Sequence, residues 1–182
     1  MKLVRFFSAL LFLTLPFSSN ANAATTFTGR VVGVSDGDTM EVMKGRRAVK
    51  IRLYGIDCPE KSQPFGQRAK QFTSSFAFGK TARVESKEKD QYNRFVAEVF
   101  VDNKSLNAAL VENGLAWAYR HYTTKFVPLE EQARQAKRGL WADPNPTPPW
   151  EFRRNPPKNF QHLSQRCRDW LRFFRALLKE TR

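Results

Sequence analysis

Between residues 26 and 54 apolar side chains recur at every second position, and after residue 64 they recur at every third or fourth. The first period belongs to half-buried strands and the second to amphipathic helices. FTGRVVGV, ending at Val34, predicts one strand. Met40 and Val42 alternate inward on a second, and Val49, Ile51 and Leu53 share the core face of a third, which turns Lys50 and Arg52 to the opposite side. Lys44-Gly45 between the last two predicts a hairpin, because glycine supplies the positive φ that a short connection needs.

The helical spacing of Phe65, Ala69, Phe72 and Phe76 predicts a helix over residues 64–78 ended by Gly79, with the phenylalanines in the core. Strands are expected over 82–87 and 95–101, separated by the charged turn KEKDQYNR. A turn at Asp102-Asn103 and a short helix closed by Gly114 follow. Residues 115–122 read as aromatic and extended. Pro128 opens a further helix, with Glu130 and Glu131 in its first turn and Gly139 at its end. Five short strands with a helix after the third predict a mainly β fold with helices, a five-stranded Greek-key OB-fold barrel capped by about three helices.

This barrel domain is expected over residues 24–143, with appendages on both sides. Residues 1–23 combine Lys2 and Arg5, an apolar run to Phe17 and Ala21-Asn22-Ala23, the pattern of a secretory signal peptide cleaved before Ala24. A retained N-terminal anchor is the alternative, against which Pro16 interrupts the run. Export would place the protein in a periplasm or outside the cell. The prolines of residues 144–159 predict an extended linker. In residues 160–182, Phe160, Leu163, Cys167, Trp170, Phe174 and Leu177 form the stripe of a basic amphipathic helix, which either packs on a protein surface, tethers polyanions or, less favoured, touches a membrane.

Charge narrows the partner class. Removing Lys2 and Arg5 from the 31 basic residues leaves 29 against 17 acidic, a mature net charge of +12 that predisposes the chain toward polyanions. No stable protein partner is implied. Cys58 and Cys167 are compatible with one disulfide in an oxidising compartment, and the spacing leaves their pairing open.

The chemistry concentrates in DGDTMEVMKGRRAVKIRLYGIDCPE, residues 36–60. A hairpin here brings Asp38 toward Asp57, with Arg52 and Glu60 alongside. Oxygen ligands beside an arginine suit a hard divalent cation, Ca²⁺ or Mg²⁺ rather than zinc, and a phosphate ester. Asp38 and Asp57 are the candidate cation ligands. Glu60, restrained after Pro59, is the candidate general base, and Arg52 and Arg94 are candidates to grip a phosphate.

DGDT at 36–39, RLYGIDCPE at 52–60, Y-x-R at 92–94, the NxxLVxxGLA run ending at Ala116 and GLW at 139–141 resemble the thermonuclease family, the staphylococcal-nuclease-like secreted nucleases. The resemblance covers roughly residues 26–141. It implies an OB-fold endonuclease that uses Ca²⁺, with Mg²⁺ a less favoured substitute, to hydrolyse DNA and RNA, single strands favoured, to 3′-phosphate and 5′-hydroxyl ends. It further implies Asp38, Asp57 and the backbone carbonyl of Cys58 as metal ligands, and Asp36 behind them. Glu60 would be the general base, Arg52 and Arg94 the transition-state stabilisers, and Tyr92 and Tyr119 the nucleotide contacts. A catalytically inactive OB-fold protein that only binds nucleic acid is the alternative. The segment after Glu60, KSQPFG, is shorter than in the best-known member of that family, so contacts made there by a longer substrate loop are not expected.

Overall fold

A computed structural model of the protein describes residues 25–155. The expected signal peptide, Cys167 and the basic amphipathic helix therefore lie outside the described residues. Among the described residues, no helix is long and apolar enough to cross a membrane.

Five long strands make the barrel. β1 (Thr25–Asp36) pairs antiparallel with β2 (Thr39–Lys44), which pairs with β3 (Arg47–Leu53). Gly45 takes φ +62° at the tip of that β2–β3 hairpin, the conformation its lack of a Cβ makes inexpensive. A two-residue strand, β4 (Ile56–Asp57), follows, then helix α1 (Gly66–Ala77), β5 (Thr81–Lys89) and β6 (Phe95–Val101). β5 joins β1 to β6, and β6 closes the barrel by pairing in parallel with β3, with Arg52 opposite Val96. Short β7 (Lys104–Ser105) extends the β6 edge and leads into α2 (Leu106–Glu112), capped by the Ser105 hydroxyl, which accepts from the Ala108 N–H at 3.2 Å.

The core inside this barrel is built from Val31, Met40, Val42, Ile51, Leu53, Val84, Ala97 and Val99, all essentially without exposure. Thus Val49, Ile51 and Leu53 point inward and Arg52 does not. Helix α1 differs from expectation in which residues touch the barrel. Ala69, Thr73 and Ala77 are buried, whereas Phe65, Phe72 and Phe76 lie half-buried along its flanks. The reason is close approach. A Cβ added to Gly37 would stand 2.7 Å from the Ala69 Cβ and 2.9 Å from Cys58 Sγ, and the Thr73 hydroxyl donates to the Gly37 carbonyl at 2.6 Å. Only small side chains fit at this contact, so the phenylalanines pack around it.

Residues 115–122 are extended only at β8 (Trp117–Ala118), which pairs with β4; the chain then turns, the Tyr122 N–H donating to the Tyr119 carbonyl at 3.1 Å. Helix α3 (Val127–Gln135) carries Pro128 in its first turn as expected but ends before Gly139, which opens the next turn, and Glu130 is fully buried and paired with Arg120 at 2.9 Å and Arg134 at 3.3 Å. A 3-10 turn (Gly139–Ala142) brings Trp141 against Trp117.

The proline-rich segment does not stay extended. Residues Pro149–Arg154 form a helix, α4, that docks back on the domain. Proline at the first helical position forfeits only an N–H that would have no intrahelical partner, so Pro149 starts the helix instead of preventing it. Trp150 holds the segment down, its ring edge-on to Trp117 and tilted against Tyr119, both at 5.5 Å between centroids, while the Gln63 amide donates to the Thr147 carbonyl at 3.1 Å.

Candidate active site

The β2–β3 hairpin places the first two partners. Thr39 lies opposite Arg52, and the Leu53 N–H donates to the Asp38 carbonyl at 2.9 Å, so Asp38 sits at the strand mouth directly beside the outward-facing Arg52. The next turn and β4 bring in Asp57, held by pairing with Trp117. Arg52 forks between the two acids, Nη1 donating to Asp38 Oδ1 and Nη2 to Asp57 Oδ1 at 2.5 Å. Both aspartates are 2% exposed, which makes this a buried charge cluster and not a surface ion pair.

The remaining oxygens are also engaged. Asp38 Oδ2 accepts the Cys58 N–H at 2.8 Å, and Asp36 Oδ1 accepts the Asp38 N–H at 3.3 Å, placing Asp36 behind the pair. Asp57 Oδ2 accepts from Arg153 Nη2 at 2.8 Å, and Arg153 Nη1 donates to Glu60 Oε1, also at 2.8 Å. Glu60 itself is fixed by its backbone N–H, which donates to the Gln63 side chain at 2.8 Å.

Burial pushes the Asp38 carboxyl up to about 7 against the pull of Arg52, with Asp36 and Asp57 adding to the rise. For Arg52 burial disfavours the charge, yet Asp38 and Asp57 outweigh it and hold the guanidinium above its ordinary value. The bond to Asp57, followed by that to Glu60, raises Arg153 against burial. The Cys58 thiol, buried and unbridged among the described residues, is pushed well up by desolvation and by Asp38, so it is an inert packing group here.

Arg94 and Tyr92 stand on the far wall of the same cleft. The Asp90 carboxylate accepts the Tyr92 and Arg94 N–H groups at 2.9 and 3.0 Å and Arg94 Nε at 2.7 Å, and the Arg94 guanidinium lies 5.3 Å from the Tyr92 ring centre. Burial raises Asp90, but the Arg94 N–H, its guanidinium and the Tyr92 N–H hold it below the usual carboxylate range. Asp36, Arg52, Asp57, Glu60, Tyr92, Arg94, Tyr119 and Arg153 all line one cleft of about 470 Å³, with Asp38 beneath Arg52. The expected site residues are thus brought to one rim of the barrel. Asp90 and Arg153 join them without having been anticipated. Asp90 is marked in the sequence only by its place in the KEKDQYNR turn, and Arg153 only by the basic pair after Trp150.

The donor set can be tested against a cation. Among the described residues no three His, Cys, Asp or Glu side chains form a group able to hold one. The side-chain contribution is the Asp38–Asp57 pair, with Cys58 joined to it through its backbone. Four carboxyls, Asp36, Asp38, Asp57 and Glu60, face two guanidiniums, Arg52 and Arg153, leaving a local excess of negative charge. Buried oxygens with that excess fit a hard divalent ion that keeps further positions for water and phosphate.

A closed OB-like barrel with arginine-bridged acids at its rim, facing an open cleft lined by acids and arginines, belongs to the class of phosphodiester-cleaving barrel proteins. Comparison with known proteins identifies which one: the family described as staphylococcal nuclease homologue matches residues 50–143. An uncharacterized endonuclease of Escherichia coli O157:H7 is 46% identical over 128 residues, covering 69% of this chain and 84% of the relative. An uncharacterized endonuclease of Haemophilus influenzae is 42% identical over 130 residues, 70% of this chain and 73% of the relative. A protein named micrococcal nuclease from Shigella flexneri is 38% identical over 141 residues, 70% of this chain and 81% of the relative. The chain belongs to the staphylococcal nuclease homologue family, a nuclease family whose substrate is nucleic acid.

Proposed function

We propose that the protein is an exported Ca²⁺-dependent endonuclease that hydrolyses DNA and RNA, single strands preferred, to 3′-phosphate and 5′-hydroxyl ends. The observation that supports this best is the Asp38–Arg52–Asp57 fork with Glu60 and Arg94 around one cleft. Asp38, Asp57 and the Cys58 backbone would hold the cation, which when bound supplies positive charge to the phosphate oxygens. Arg52, at the floor, and Arg94, oriented by Asp90, grip the non-bridging oxygens from two sides as negative charge grows on them. The Glu60 carboxylate takes a proton from the attacking water. The phosphorus gains that water's oxygen, the bond to the 5′ oxygen breaks, and the departing oxygen takes up a proton to leave as the 5′-hydroxyl, with phosphate retained on the 3′ side. Tyr92, exposed at the cleft edge, and Tyr119 offer rings to the nucleotides.

The test is a nuclease assay of the protein beginning at Ala24, on single-stranded DNA and RNA, across Ca²⁺, Mg²⁺, Mn²⁺ and Zn²⁺. Activity is expected with Ca²⁺ and to vanish with a chelator, and Glu60→Gln is expected to lower turnover about 10²–10⁴-fold, the range of general-base catalysis. Hydrolysis undiminished by chelation overturns the cation dependence. Near-normal turnover of Glu60→Gln overturns the base, and tight binding of DNA without cleavage under every ion makes the protein a binding module. N-terminal sequencing of protein recovered from the periplasmic fraction tests the export.

A further inference from the structure

Arg153 lies outside the part of the chain that the family match covers, yet it pairs with two of the site's acids. Its guanidinium bridges Asp57 Oδ2 and Glu60 Oε1, both at 2.8 Å, with a longer contact to Asp57 Oδ1 at 3.3 Å. With Arg52 on Asp57 Oδ1 at 2.5 Å, both oxygens of Asp57 carry arginine. A divalent cation approaching Asp57 therefore meets a like charge already seated there, and the two attract the same carboxylate while repelling each other.

Of the two arginines, Arg52 is the fixed one. It projects from a central strand paired on both sides, bonds two buried aspartates, and its side chain is 24% exposed. Arg153 rides on a six-residue helix at the end of a proline-rich segment and is 44% exposed. That segment is held by separable contacts, the Trp150 ring on Trp117 and Tyr119, and the Gln63–Thr147 bond. It is the element able to yield.

We propose that Arg153 is a tethered competitor for the cation site, so that docking of segment 144–154 and binding of a divalent cation are antagonistic. Bound cation releases Arg153 from Asp57 and Glu60 and frees the Glu60 carboxylate for its proton transfer; without cation the segment closes over the acids and keeps them neutralised. Arg153 thus sets the cation concentration at which the nuclease switches on. The inference rests on the assignment of Asp57 as a cation ligand. By linkage, the factor by which docking weakens cation affinity equals the factor by which cation weakens docking.

Calorimetric titration of the protein with Ca²⁺, without substrate, tests this. Arg153→Ala is expected to bind Ca²⁺ about tenfold tighter than the unaltered protein, within the usual range of such couplings. Trp150→Ala, which loosens the segment without removing a charge, is expected to shift affinity in the same direction. Arg154→Ala removes an equal charge from an exposed neighbouring position and is expected to stay within about twofold, as a screened surface charge does. Hydrogen exchange supplies a second readout, since saturating Ca²⁺ should speed exchange of the amides of residues 150–154 in the unaltered protein. Equal Ca²⁺ affinities for Arg153→Ala and the unaltered protein, equal shifts from Arg153→Ala and Arg154→Ala, or slower exchange with Ca²⁺ each overturn the competition while leaving the nuclease reading intact. Absence of Ca²⁺ binding in every variant overturns the cation site and the competition together.

Discussion

Replacing Arg52 with alanine should destabilise the protein in a strongly pH-dependent way. The substitution leaves Asp57 with Arg153, but Asp38 retains only the Cys58 N–H at 2.8 Å and the Thr39 hydroxyl at 3.3 Å for a carboxylate that is 2% exposed. Breaking a buried ion pair from one side costs about 3–5 kcal/mol because the partner's charge is left uncompensated. Asp38 can escape that cost by taking a proton. Its folded-state carboxyl already titrates at about 7, above its ordinary 3.8, and loss of the guanidinium raises it further. An acid whose folded value is raised stabilises the fold below its unfolded value and loses that contribution as pH rises through the folded one.

Below about 7 Asp38 is therefore protonated with or without Arg52, and the loss is confined to packing and hydrogen bonds, about 1–2 kcal/mol. Above it the unaltered protein ionises while the variant keeps its proton, and the gap widens by about 1.4 kcal/mol per pH unit. Urea denaturation at about pH 6 and about pH 9 should show the gap growing by about 2–3 kcal/mol. Adding Asp38→Asn to Arg52→Ala removes the charge at issue and should recover most of the difference at the higher pH. A gap that is the same at both pH values, with no recovery in the double variant, refutes the picture of Arg52 as the counter-charge of a buried acid.

Two further outcomes follow from the site's supports. Asp90→Asn should raise the KM for single-stranded DNA about 3–10-fold with little change in melting temperature, since it loosens Arg94 without touching the core. In the unaltered protein the stabilisation from Asp90 is complete above its ordinary carboxylate value of 3.8 and is lost as pH falls through its lowered folded value, so an acid melting series should show a fall on that side that Asp90→Asn lacks. Gly37→Ala would force a Cβ to 2.7 Å from Ala69 and 2.9 Å from Cys58. It should cost about 1–3 kcal/mol in chemical denaturation and reduce activity as the Asp38 loop shifts; full stability would show that α1 yields easily.

What the sequence makes legible is local. The alternation of Val49, Ile51 and Leu53 fixes the face of Arg52, and a short hairpin then forces Asp38 beside it; both inferences span about a dozen residues and need only strand geometry. The Asp57–Glu60 segment follows directly and is carried along. The α1 phenylalanines show the limit of periodicity, which finds a helix and its apolar side but not the distance of approach; that depends on Gly37, distant in sequence. Glu130 reads as a helix-dipole residue because its burial and its pairing with Arg120 arise only when α3 docks. Arg153 was beyond reach for a stronger reason. It contacts acids more than ninety residues earlier, and the surrounding prolines advertise an extended chain, although one of them also satisfies the rule for starting a helix.

The parallel seam between β3 and β6 ties correct closure to chemistry. Ile51, Arg52 and Leu53 face Phe95, Val96 and Ala97 there, and side chains along a strand alternate between inside and outside. A slip of one residue in β3 would turn Arg52 into the apolar interior and Ile51 toward the acids, losing stability and the proposed phosphate grip at once. A misregistered barrel is therefore also an inert one, and nuclease activity of a refolded sample would report on its strand register as directly as any spectroscopic probe.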